Sequence, residues 1–177
     1  MADTESLIER ITGEPESQTR KDIRNLVVGG IVGAIAGGAG TLVDSVVLYI
    51  AILLNAFDPA QFGEMASLAG FVNPLIGSSN ALLGYLIFVG GGMTTWPFLF
   101  AAIHQFLPGW RMAVSGITFA AIGWAGFAIA FYSPTVNFWL FIVLTFIGQC
   151  LYGYVVGLVF EYAEPRVDVA IIGTTFQ

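Results

Sequence analysis

The run from Val28 to Leu54, VGGIVGAIAGGAGTLVDSVVLYIAILL, constrains this chain more than any other stretch. It is longer than the roughly 20 apolar residues that carry a helix across a bilayer. Its first half places Gly29, Gly33 and Gly37 at four-residue spacing, a face on which another helix can approach backbone to backbone. Its second half carries Asp44, flanked by Thr41 and Ser45, with no Lys or Arg in the run. A carboxyl at that depth costs about 2.5–3.5 kcal/mol on insertion scales and has to face protein or water rather than lipid. This helix is built to be buried against others.

Composition agrees. Of 177 residues, 56% are hydrophobic and 10% charged, against about 25% charged in an average soluble chain. A soluble globule would lack the surface it needs. Twelve acids against six bases give a net charge of −6, which argues against a nucleic-acid partner, since that calls for a basic patch. Acid excess with a single Lys (Lys21) also suits a high-salt cytoplasm. The lone Cys150 falls within an apolar run and has no second Cys to pair with.

Three further runs read as spans, giving 26–54, 81–106, 112–132 and 136–162. Residues 1–25 are a polar tail, expected to be disordered or interfacial, with one amphipathic turn at Leu7, Ile8 and Ile11 before Gly13 and Pro15. The loop 55–80 opens at Asp58-Pro59 and contains a moderately apolar stretch, 62–76, interrupted by Asn73-Pro74. It is too short and broken to span, so a re-entrant or interfacial helix is expected. Short turns, 107–111 and 133–135, then make neighbouring spans antiparallel. The predicted fold class is all-α: a polytopic, antiparallel four-helix transmembrane bundle at 26–162 with an extra helix between spans 1 and 2, and a tail at 163–177. All six basic residues (Arg10, Arg20, Lys21, Arg24, Arg111, Arg166) fall on one side of it. The positive-inside bias puts both termini in the cytoplasm of a multi-pass plasma-membrane protein.

Laying the spans antiparallel brings Thr94 and Thr95 of span 2, Trp124 of span 3 and Gln149 of span 4 to the depth of Asp44. Two readings stand: a polar cluster in which Asp44 binds a proton or cation, or a hydrogen-bonded Asp that ties helices together with Thr41, Ser45 and Gln149 nearby. Pro97 lacks an N–H and crowds the carbonyl four residues back, so a kink near Met93 is expected, either a hinge lining a site or a static bend. Gly153 and Gly157 in span 4, and Gly116, Ala120 and Gly123 in span 3, offer further contact faces. His104 is the only histidine, which excludes a bis-histidine haem site and, without Cys or carboxylate neighbours, a zinc site. No nucleophile–base pair and no acid pair stands out, so no catalytic residue, metal or cofactor is assigned.

Gly84-Tyr85-Leu86, Gly92, Trp96 and Phe100-Ala101 in span 2, with Tyr152-Gly153, Gly157 and Phe160 in span 4, resemble a family of small four-span membrane proteins of unknown function. That family is common in halophilic archaea, and some members are mislabelled as histidine kinases. The resemblance implies four helices and a salt-loving source but no reaction. Members often carry a His in span 2 and another in span 4; the matching positions here are Phe88 and Gln149. Any cofactor held by such histidines elsewhere would not be held here.

The functional expectation is a non-catalytic accessory subunit, packed in the lipid bilayer against other membrane subunits or against itself, for instance in a respiratory or energy-converting complex. The alternative is a small oligomeric channel or transporter for protons or ions that uses Asp44.

Overall fold

The computed structural model describes residues 2–68 and 80–164, with side chains over 23–66 and 80–164. All regular structure among them is helical. The elements are α1 (Ala2–Leu53), α2 (Gln61–Leu68), α3 (Ala81–Met93), α4 (Thr95–Ile103), a 3₁₀ turn at His104–Phe106, α5 (Met112–Phe131) and α6 (Phe138–Ala163).

Four stretches are helical, long and apolar enough to cross a membrane: Ile23–Leu53, Ala81–Phe106, Met112–Phe131 and Phe138–Ala163. Their ends fall within three residues of those read from hydropathy. Asparagines start two of the helices. Asn80 accepts from Leu83 N at 3.2 Å and Asn137 from Leu140 N at 3.1 Å, each pairing one of the amides that a first turn leaves free. At the other margin of the sequence the outcome differs from expectation. Helix α1 runs unbroken through Gly13 and Pro15. A long helix has already met the cost of nucleation, so the residues flanking Gly13 and Pro15 need only propagation, which here outweighs the hydrogen bond that the proline removes. The segment 62–76 is described only to Leu68, and to that point it forms all of α2 but the first residue; Asn73-Pro74 and the tail from residue 165 lie outside the described residues.

Helix α6 is the hub, packing along both α1 and α5. Its contact with α5 is close enough to exclude side chains. A Cβ on Gly153 would fall 2.6 Å from Ala120 Cβ, and one on Gly157 would fall 2.7 Å from the Met112 carbonyl carbon. At one end, Arg111 Nε donates to Glu161 Oε1 at 2.8 Å, joining the turn before α5 to the close of α6. At the other, Asn137 N donates to Asn55 O at 3.0 Å, joining the start of α6 to the exit of α1. Asn55 takes a left-handed conformation there, with φ of 52°, a region Asn enters more readily than most residues.

Two apolar clusters fill the interior. One gathers Phe57, Phe62, Phe131 and Phe141 beneath α2; the other gathers Ala36, Phe100, Phe119, Val156 and Phe160. Helix α2 lies on α3, with the Phe62 carbonyl seated directly over Gly84.

These contacts separate glycines that need to be glycine from those that do not. Gly153→Ala should lower the unfolding free energy in detergent by about 1–3 kcal/mol, because the helices must part to admit the methyl. Gly90, with nothing within 4 Å, should show the opposite sign. Gly90→Ala is expected to gain about 0.5–1 kcal/mol from helix propensity alone.

Candidate functional site

Between the two apolar clusters the helices enclose a layer of polar side chains. Asp44 is 1% exposed and Thr41 3% exposed. Both lie on the inner face of α1, three residues apart and so one above the other. Gln149 of α6 donates through Nε2 to Asp44 Oδ2 at 3.1 Å. Gly148 lies directly against Asp44 Oδ1, leaving no room for a methyl. Beside them is a recess of about 200 Å³, lined by Thr41, Asp44, Gln149, Tyr152 and Phe88 and opening outward past the exposed Trp96, Gly126 and Ala130. Two oxygens of these residues, Asp44 Oδ1 against Gly148 and Thr41 Oγ1 against Gly92, are buried and have no hydrogen-bond partner.

The helix break forms one wall. Thr94 separates α3 from α4 with φ −120° and ψ −70°, one turn ahead of Pro97, where the missing N–H and the ring crowding the Met93 carbonyl place it. A break inside an apolar setting strands carbonyls that must find partners. Gly90 O takes two, Thr94 N at 3.0 Å and Thr94 Oγ1 at 2.7 Å. Gly92 O takes the Tyr152 hydroxyl at 2.7 Å, in a buried contact from α6. Gly37 of α1 sits beneath the bend, where a Cβ would fall 2.8 Å from Met93 Cα. The bend is held from two sides.

The residues singled out by depth divide by face. Asp44, Thr41 and Gln149 come together at the cavity. Thr94 and Thr95 do not join them: both are exposed and turn to the opposite side of the break. Each helical residue adds about 100° of rotation, so Gly92 and Trp96, four apart, face the cavity while the threonines between them face away. Ser45 lies off the cavity and accepts from the Tyr85 hydroxyl at 2.9 Å. Trp124 donates instead to Thr145 at 3.0 Å. Among the α1 glycines, Gly37 is in tight contact, Gly33 meets Pro97 Cβ at an ordinary 3.7 Å, and Gly29 has nothing within 4 Å. His104 holds Nδ1 3.0 Å from Ala101 O, within its own turn. No group of three His, Cys, Asp or Glu that could hold a metal occurs among the described residues. Phe88 and Gln149, the positions matched to family histidines, both line the cavity.

Tyr152 was not singled out in the sequence beyond its place in the Gly/aromatic pattern. The signal that could have marked it is a phenol in the mid-section of a span, since a buried tyrosine hydroxyl needs a partner.

A second recess lies on the outer side of the break. It is an open groove of about 940 Å³ between α1 and α4, lined by Asn25, Gly29, Gly30, Thr95, Pro97 and Phe98 among others.

Removing the phenol should expose what the bend depends on. Tyr152→Phe leaves the Gly92 carbonyl buried and unpaired, an expected loss of about 1–3 kcal/mol in unfolding free energy. Tyr154→Phe, at a 38% exposed site on the same helix, should stay within about 0.5 kcal/mol.

No curated protein and no solved structure matches the chain. A family model described as a family of unknown function (DUF6789) matches residues 27–171. That match covers most of the sequence, four membrane-length helices included, and the chain belongs to this family.

Proposed function

We propose that the protein is a non-catalytic integral-membrane subunit that packs against a helix of another membrane polypeptide. The observation that carries this reading is the groove between α1 and α4, whose floor is glycine backbone. In lipid, helices associate through close packing and hydrogen bonds rather than through the hydrophobic effect. Gly29 and Gly30 have nothing within 4 Å, so a helix could seat against them with backbone contact. A second copy about a two-fold axis is less suited, because an isologous contact sets like against like and a concavity cannot fill a concavity.

The same reading takes the four long helices as an antiparallel bundle in the plasma membrane, with α2 as an interfacial or re-entrant element near one face. Both termini are cytoplasmic in it, supported by the six-to-none distribution of Lys and Arg. The acid excess suits a high-salt cytoplasm.

A photo-crosslinking residue at Gly30, expressed in the native membrane, tests the subunit reading. An adduct with a different polypeptide, retained through mild-detergent purification, is the expected product. Adducts only with lipid or with a second copy would contradict it.

A second reading, a small oligomeric channel or transporter for protons or ions, draws on the buried Asp44 carboxyl, one of whose oxygens has no partner, beside the recess between the helices. It predicts a flux in proteoliposomes that Asp44→Asn abolishes; equal flux from both proteins would remove Asp44 from the mechanism.

A further inference from the structure

We infer that the recess between the α3–α4 break and α5 is a slot for one hydrocarbon chain of a bilayer lipid. Three observations carry this. First, the polar groups at its inner end are turned to the protein. Asp44 Oδ2 takes the Gln149 amide and Oδ1 lies against Gly148. Thr41 Oγ1 lies against Gly92, and the Tyr152 hydroxyl goes to the Gly92 carbonyl. The outer walls are apolar, built from Met65, Phe88, Phe127, Phe131 and the Trp96 ring. Walls of this kind suit a guest that brings no polar group to be desolvated.

Second, the mouth is bounded at both ends and opens sideways. Toward the 3₁₀ turn it is shut by Trp96, which packs edge-on to Phe119 at 5.6 Å and would meet a Cβ on Gly123 at 3.1 Å. Toward α2 it is shut by three rings, Phe88 6.2 Å from Phe127 and Phe127 4.5 Å from Phe131. Between these stops Gly126 is exposed, with nothing within 4 Å of a Cβ. It lies inside the end of α5, which closes at Phe131, by about 7.5 Å along the helix axis. In a chain that spans a bilayer, a mouth at that depth faces acyl chains and not water.

Third, size and rim select among apolar occupants. A helix about 10 Å across displaces on the order of 400 Å³ per turn, twice the recess of about 200 Å³. Ile122 and Ile129, a turn to either side of Gly126, are exposed and hold a helix backbone off the mouth, unlike the glycine floor of the groove beyond the break. A flexible chain passes between them. Left unfilled, the aromatic walls would forgo dispersion contacts; a chain supplies these without losing any hydration, since it comes from hydrocarbon. The slot is separate from that groove, and neither reading depends on the other.

The purified full chain in vesicles of phosphatidylcholine brominated at mid-chain tests this, because bromine quenches tryptophan on contact. The Trp96 share of the emission, taken as the difference between the unmodified chain and Trp96→Phe, should be strongly quenched. Gly126→Leu, whose side chain has open space to fill at the mouth, should remove most of that quenching and leave the quenching of the other tryptophans unchanged. Equal quenching of Trp96 with and without the substitution would overturn the proposal. So would shielding of Trp96 that grows as the protein-to-lipid ratio rises, the mark of a second copy in the mouth. A photo-crosslinking residue at Ala130, exposed and part of the lining, gives an independent reading in the native membrane should either variant fail to fold. Lipid adducts are expected there, and polypeptide adducts in their place would contradict the slot.

Discussion

A carboxyl in the middle of an apolar helix sets the rotation of that helix about its own axis, and the rest of the packing follows from this rotation. Turned to lipid, Asp44 would have no partner and no water. Turned inward, it meets Gln149 and the glycine backbone at Gly148. Once Asp44 faces in, helical periodicity carries Gly37, Thr41, Leu48 and Ala51 in with it. All four are buried, whereas Leu42, Val46, Tyr49 and Leu53 are more than half exposed. The glycine at 37 therefore meets the bend in the second span, and the small residue at 51 meets the aromatic cluster beneath α2.

The bend is the second consequence. Proline at 97 removes a donor where neighbouring carbonyls cannot turn to water, so the structure must supply others. It does so locally, through the Thr94 hydroxyl, and across helices, through the Tyr152 phenol. Tyr152 lies one turn beyond Gly148 and Gln149 on α6, so one face of that helix both shields the acid and caps the break. Shielding and capping on a single face couple the polar layer to the bend. This arrangement fits a fixed kink better than a hinge, because motion at Thr94 would strand the Gly92 carbonyl.

Much of this was legible in the sequence, and the remainder was not for a definite reason. Hydropathy counts residues along the membrane normal, so it located all four helices and matched Asp44 with Gln149 by depth. Depth says nothing about azimuth. Thr94 and Thr95 share the level of Asp44 but face away, and Tyr152, a turn off that level, reaches the break. Small-residue spacing had the same blindness: Gly29, Gly33 and Gly37 repeat identically, yet only Gly37 is pressed against a neighbouring backbone. The tight pairing of Gly153 with Gly116 and Ala120 needed the α5–α6 register, which no single helix contains. The continuation of α1 through Pro15 was missed because a local breaker was weighed without the long helix that propagates into it.

The inward facing of Asp44 can be measured without replacing it. Nitroxide spin labels on single cysteines along α1, in a Cys150→Ser background in lipid bilayers, report collision with dissolved oxygen at each position. High accessibility at 42, 46, 49 and 53 with low accessibility at 41, 48 and 51 is the expected pattern, in step with the burial of these residues and with a period of about 3.6. An inverted phase, with 41, 48 and 51 the more accessible set, would turn the carboxyl toward the acyl chains and contradict the packing described here.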